Sequence, residues 1–147
     1  MLKDRVKKTL NELLVDMFNH ILVLEERNLV ARGVTLSMSE VHTLENISKS
    51  ESKTMSDVAR RALVTQGTLT VAINRLVKKG YVARYKDEVD KRIVRLSLTQ
   101  RALDVLKVHD AFHEKMIDTF IHDLKVDEDT NLILSLEKIM DYFKQNY

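Results

Sequence analysis

No proline occurs in this 147-residue chain, and its three glycines, Gly33, Gly67 and Gly80, stand isolated. Proline and glycine preset the tight turns that a fold of many short strands needs, so a mostly helical fold is expected instead. Cysteine is absent as well, which excludes a disulfide framework and thiolate metal ligands and gives no sign of an oxidising compartment. No apolar run approaches the ~20 residues of a membrane-spanning helix. The opening segment MLKDRVKKTLNELL scatters its charges and lacks the continuous apolar stretch of a signal peptide. The expectation is one cytoplasmic domain over residues 1–147, able to hide roughly two thirds of its surface on folding.

Apolar spacing sets the element order. Leu10, Leu13, Leu14, Met17, Phe18, Ile21 and Leu22 recur at the spacing of one helix face, predicting a first helix over residues 6–30 that Gly33 stops. A second helix is expected to start near Ser37 or Ser39, with Ser39 as N-cap and Val41, Leu44 and Ile47 facing inward. The polar run 48–54 reads as a loop, followed by a short helix from Ser56 as N-cap to Arg61. Residues 66–79 form a further helix that ends at Gly80. Residues 81–86 and 92–98 read as strands around a polar hairpin loop at 87–91, with Val94, Leu96 and Leu98 sharing a face. Thr99 caps a long helix ending near Asp123. Asp127 and Asp129 open a last helix, as the helix dipole favours, with Leu132, Leu136, Ile139, Met140 and Phe143 on its apolar face. The fold class is therefore mainly α with a small β-hairpin wing. A short helix, a turn, a second helix and a basic hairpin make a winged helix-turn-helix, here over residues 37–98.

The formal charge of the whole chain is only +2, but it is unevenly spread. Residues 60–101 carry 11 Lys and Arg against 3 acids, a net of +8, between a segment of −1 (residues 1–59) and one of −5 (residues 102–147). A basic middle is the electrostatic footprint of a phosphate-backbone binder. The plainer alternative is a solvated surface.

Projected at helical period, residues 66–79 place Leu69, Ala72, Ile73 and Leu76 on one side and Thr68, Thr70, Val71, Asn74, Arg75 and Lys78 on the other. Asn74 and Arg75 suit bidentate contacts to adenine and guanine, and Val71 suits a thymine methyl. Gln66 and Thr68 stand near the helix N-terminus, where phosphate is favoured. The hairpin adds Arg84, Lys86, Lys91, Arg92 and Arg95 for phosphates and the minor groove, with Asp90 two residues before Arg92 to orient it.

These segments resemble the MarR family of dimeric winged-helix regulators. The resemblance runs through Met55-Ser56-Asp57-Val58-Ala59, Gly67-Thr68-Leu69-Thr70, Asn74-Arg75-Leu76-Val77-Lys78-Lys79-Gly80-Tyr81, Asp90-Lys91-Arg92 and Leu96-Ser97-Leu98-Thr99. Arg101-Ala102 departs from it, since the family usually has a glycine soon after Leu-Thr. The resemblance implies a MarR-like homodimer on a palindromic double-stranded DNA operator. Its interface and effector region would come from residues 1–32 and 99–147. Residues 18–26, 40–44 and 109–113 are further similar to the FabT-type branch, which represses fatty-acid biosynthesis genes. That narrower resemblance implies long-chain acyl-acyl carrier protein as corepressor, its acyl chain in an apolar tunnel. No cofactor is required. Phe18, Leu22, His42, His109, Phe112 and His113 are the candidates for a hydrophobic effector pocket.

His109 and His113 are one helical turn apart, a metal-capable spacing that His42 could complete, with carboxylates such as Glu40 or Asp110. Zinc at His42, His109 and His113 stands against a structural cluster that holds helices together. His20 and His122 are expected to be solvent-exposed. No Gly-rich phosphate loop, G-x-S-x-G or H-E-x-x-H occurs, so an enzyme is not expected. A zinc-sensing or phenolic/drug-sensing regulator is the alternative within the class. From another class, the alternative is a helical protein-interaction dimer whose hairpin does not touch DNA.

Overall fold

The computed structural model describes residues 1–146. Helical backbone runs unbroken through α1 (Leu2–Asn11), a π-helical turn (Glu12–Met17) and α2 (Phe18–Ala31). The single helix expected over residues 6–30 is thus longer and carries a π turn. Gly33, at φ +78°, closes it: the Gly33 N–H donates to the Val30 carbonyl (3.0 Å) and the Val34 N–H to the Leu29 carbonyl (3.0 Å). These bonds satisfy carbonyls left over at the helix end, and only glycine adopts that backbone without strain.

α3 (Met38–Lys49) starts at Ser37 rather than Ser39. Ser37 Oγ accepts from the Glu40 N–H (3.2 Å) while the Glu40 carboxylate accepts from the Ser37 N–H (2.9 Å). This reciprocal capping box requires a Glu three residues on, which Ser39 lacks. α3 also ends later than expected. Lys53 Nζ donates to the carbonyls of Ile47 (3.0 Å), Ser48 (3.3 Å) and Ser50 (3.0 Å), supplying donors to its last turn. α4 (Met55–Ala62) is capped by Thr54, not Ser56, because Asp57 stands three residues after Thr54 and its N–H donates to Thr54 Oγ1 (3.3 Å).

α5 (Gln66–Lys78) leads through Gly80 (φ +84°) into an antiparallel hairpin of β1 (Val82–Lys86) and β2 (Val94–Leu98). Val82 pairs with Leu98, Arg84 with Leu96 and Lys86 with Val94. Both strands are shorter than the alternation suggested. Ile93 N–H bonds the Asp90 carbonyl (3.0 Å), which leaves Arg92 in the tip turn. α6 (Gln100–Leu124) follows Thr99, whose hydroxyl donates to the Gly80 carbonyl (2.8 Å) and accepts from the Ala102 N–H (3.4 Å).

Two compact units divide the chain, residues 1–109 and the remainder from Asp110. The core of the first comprises Leu29, Leu36, Val41, Leu44, Ile47, Val58, Leu69, Ile73, Leu76, Leu96, Ala102 and Leu106, among others. The second holds the rest of α6, a 3₁₀ turn (Val126–Glu128) and α7 (Thr130–Gln145), which Asp129 caps by accepting from the Leu132 N–H (3.0 Å). None of the second unit's described residues is buried. Among the described residues no helix is long and apolar enough to cross a membrane.

Candidate nucleic-acid interface

α4 and α5 are joined by Leu63, Val64 and Thr65. The Val64 N–H donates to the Ala59 carbonyl (3.1 Å) and the Leu63 N–H to the Arg60 carbonyl (3.2 Å), with Leu63 left-handed at φ +57°. Glycine is the usual occupant of such a position. A leucine there costs on the order of 1 kcal/mol, and its side chain is 71% exposed. Thr65 then caps α5 by accepting from the Thr68 N–H (3.1 Å).

Burial of Leu69, Ile73 and Leu76 fixes the rotation of α5. That rotation leaves Gln66, Thr68, Thr70, Val71, Asn74, Arg75 and Lys78 exposed on the opposite side. Val71 is 53% exposed, an apolar branched surface of the kind a thymine methyl meets. The two threonines differ in what they offer. Thr70 donates its hydroxyl proton to the Gln66 carbonyl (2.8 Å), so its lone pairs face outward as acceptors. Thr68 Oγ1 accepts from the Thr65 hydroxyl (3.0 Å), which leaves its own proton to donate. At Gly67 a Cβ would meet only Thr65 Oγ1, at 3.9 Å, so nothing inside the chain demands glycine at this open helix end.

Two aspartates organise the wing. Asp87 accepts from the N–H groups of Val89 (3.1 Å) and Asp90 (2.9 Å) and from Arg95 Nε (2.9 Å). The Asp90 N–H, with Arg95 second, holds its carboxyl below the usual carboxylate range. Asp90 in turn accepts from Arg92 Nε, Nη2 and backbone N–H, each at 3.0 Å. That side-chain pairing lowers the Asp90 carboxyl and raises the Arg92 guanidinium. Arg92 is therefore held outward in one orientation, beside exposed Lys91. Arg95 has a different role from the cationic tip the sequence suggested. It is half-buried, and besides Asp87 it donates through Nη1 to the Ser52 carbonyl (2.5 Å), tying the wing to the loop before α4. Asp87 was legible as the first residue of an Asp-x-x-Asp turn; the link to Ser52 was not. Arg84 leaves the wing altogether and donates through Nη2 to the Asn74 carboxamide oxygen on α5.

Behind α5 lies a cavity of about 380 Å³ between α2, α3 and α5, lined by Phe18, Leu22, Met38, His42, Val64 and Leu69 among others. Three of the expected pocket residues, Phe18, Leu22 and His42, meet there. His42 also stands edge-on to His109, with ring centroids 5.9 Å apart. His109 is only 1% exposed, and its Nε2 lies 2.9 Å from Glu45 Oε1. The closeness of the His109 imidazole, the largest influence, holds the Glu45 carboxyl below its ordinary value. His42 Nε2 is 3.6 Å from Glu25 Oε2. Ligand atoms of His42, Glu45 and His109 lie within 4.8 Å of one another, a nitrogen-and-oxygen donor set that suits a divalent ion such as zinc. Glu45 replaces the carboxylates expected from sequence. Glu40 is instead engaged by Ser37 and by Lys79 Nζ (2.8 Å). Glu45 was findable, since it lies three residues after His42 on the same helix. Phe112 and His113 belong to the second unit, where their rings meet edge to face at 5.7 Å. His122 is exposed and pairs with Asp123 (2.8 Å).

A capped short helix, a tight turn, a helix with one buried and one polar face, and an organised basic hairpin define a winged helix-turn-helix protein. The family model for the MarR family matches residues 36–94. The fold of Streptococcus pneumoniae FabT, solved in complex with DNA, superposes with a TM-score of 0.87 at 32% identity over 96% of this chain and 99% of that one. The chain belongs to the MarR family, a regulatory and non-catalytic one. The transcriptional regulator AdcR of Streptococcus pneumoniae is 37% identical over 87 residues, 59% of each chain. The regulator SarZ of Staphylococcus haemolyticus is 30% identical over 94 residues, 64% of this chain and 63% of that one. The chain thus spans about three fifths of the length of these curated relatives.

Proposed function

We propose that the chain is a homodimeric DNA-binding transcriptional repressor of fatty-acid biosynthesis genes. It would act on a palindromic operator, with long-chain acyl-acyl carrier protein as corepressor. The observation that carries the DNA-binding part is the outward face of α5. Its apolar side is locked in the core and its whole polar side, Gln66 to Lys78, is exposed beside a wing whose Arg92 is pre-oriented. Gln66, Thr68, Thr70, Val71, Asn74 and Arg75 would meet the major groove, while Lys91 and Arg92 would meet phosphate and the minor groove. The exposed apolar residues of α1, α2 and α7 support a dimer, which would set two recognition helices on two half-sites. Likeness to a DNA-bound FabT over nearly the whole of both chains supports the narrower regulon. The 380 Å³ cavity gives an apolar effector a place directly behind α5, where filling it would bias the position of the helix.

The test is fluorescence anisotropy on a palindrome from upstream of fatty-acid synthesis genes, with and without acyl carrier protein loaded with chains of increasing length. Long chains are expected to tighten binding. Unchanged affinity across all lengths removes the corepressor, and no binding to any duplex removes the DNA-reading role. Arg92→Ala is expected to weaken binding to every sequence by a similar factor and to lower the salt slope by about one.

A second reading, regulation by zinc, is favoured by the His42, Glu45 and His109 donor set. Purified untagged dimer with less than about 0.1 zinc per chain, and no gain in DNA affinity on adding zinc, excludes it; a structural zinc site would fill close to one per chain.

A further inference from the structure

Arg84 and Asn74 lie ten residues apart on different elements, yet their side chains are joined by a hydrogen bond on the exposed face of the lobe. The hairpin register explains why. Arg84 is paired with Leu96, so their side chains leave the sheet on one face. Leu96 is fully buried, and so is Val82, two residues before Arg84 and on that same face. This is the face turned to the helices. Arg84 therefore reaches α5, whereas Lys91 and Arg92 remain at the tip.

The chemistry of the pair is one-directional. A guanidinium carries only donors, so the carboxamide must turn its oxygen to Arg84 and its NH₂ group away. An unattached Asn is the usual partner of adenine, accepting from N6 and donating to N7. Here a cation takes one lone pair of that oxygen and stands beside the other. With the Asn74 NH₂ and the remaining N–H groups of Arg84, the pair is richer in donors than in acceptors. Guanine offers two adjacent acceptors, O6 and N7, in the major groove, whereas the N6 amino group of adenine would face donors with a donor.

We propose that Arg84 and Asn74 form one reading unit that selects guanine at a single operator position, with Arg84 a specificity-determining residue instead of a phosphate contact. This rests on the DNA-binding role proposed above. The experiment measures the affinity of the full-length dimer for the operator and for every single-base variant of it, at several salt concentrations. It compares the wild type with Asn74→Ala, Arg84→Lys, Arg84→Ala and the double alanine variant, each checked for an unchanged melting curve. The wild type should prefer guanine at one position by on the order of 10-fold or more. Arg84→Lys keeps the charge but cannot hold the carboxamide in the same planar geometry. It should lose that preference as fully as Asn74→Ala does, while its salt slope and its preferences elsewhere stay as in the wild type. The double variant should be no less selective than either single one.

A wild type that binds no duplex overturns the DNA-binding role, and this inference with it. A wild type that binds selectively, with Arg84→Lys equally selective, overturns the inference alone. So does a uniform loss in Arg84→Ala with a salt slope smaller by about one, the signature of a phosphate contact. A preference for adenine at the Asn74-dependent position overturns it as well.

Discussion

Between Val41 and Leu96 one set of apolar side chains at helical spacing, with Leu96 of β2, closes a core: Val41, Leu44, Ile47, Leu69, Ile73, Leu76 and Leu96 are each at most 1% exposed. In the helices at the two ends of the chain, the same kind of pattern stands in solvent. Leu10, Leu13, Leu14, Met17 and Phe18 are exposed in the first, and Leu132, Leu136, Met140 and Phe143 in the last. The central lobe forms its buried core within one chain and caps α3, α4 and α5 with its own side chains. The end helices have the stripe but no cover. Apolar periodicity therefore reports burial in the finished assembly, and contiguous exposed apolar surface on a regulator marks an interaction face. A second copy of the chain is the cover that the proposed homodimer supplies.

Four substitutions sharpen or break this contrast. Ile73→Ala removes a fully buried side chain from the lobe and is expected to destabilise it by about 2–5 kcal/mol. Urea unfolding reads this directly, and a loss under about 1 kcal/mol would mean the lobe core is not closed in a single chain. Leu136→Asp places a charge on a surface already exposed in one chain. It should leave the lobe folded, shift the protein to monomer in sedimentation, and weaken operator binding on the order of 100-fold as the second half-site is lost. Retention of the dimer would move the interface elsewhere.

Glu45→Gln replaces the carboxylate that lies 2.9 Å from His109 Nε2 and should cost about 1 kcal/mol near neutral pH. The Glu45 carboxyl is lowered on folding, so its contribution is fully present above the ordinary carboxylate value and fades as the pH falls through the lowered one. Melting curves from pH 7 down to pH 3 should show the two proteins converging at the acid end. A gap that instead widens in acid would reverse the sign. The smallest effect is expected at Leu63→Gly, where relief of the left-handed turn is offset by a more flexible unfolded chain. A net gain below about 1 kcal/mol follows, read as a slightly higher melting temperature.

Much of the lobe was legible because its helices are amphipathic within one chain, and the alternation of Val94, Leu96 and Leu98 announced a strand. The polar face of α5 could be projected correctly because one buried face fixes the other. The caps were misplaced by two residues at Ser37 and Thr54, although their partners Glu40 and Asp57 stand in the sequence at the capping distance. Cross-element bonds were out of reach. Arg95 to Ser52 spans 43 residues and Arg84 to Asn74 joins a strand to a helix, and neither has a periodic signature. For that reason Arg84 and Arg95 look alike in the sequence, as two cations on a hairpin, and do different things in the fold.

The π-helical turn at Glu12–Met17 divides the first helix into two segments that do not share one wheel. One extra residue in an α-helical path corresponds to about 100° of rotation. Val6 and Leu10 are thereby swung around the axis relative to Ile21 and Leu22, and an apolar stripe drawn straight through residues 6–30 places the two halves on a common side that they do not occupy. The N-terminal segment thus faces its surroundings in a direction of its own. A natural variant lacking Glu12 or Asp16 would keep every exposed apolar side chain of the segment and still present half of them to the wrong neighbour.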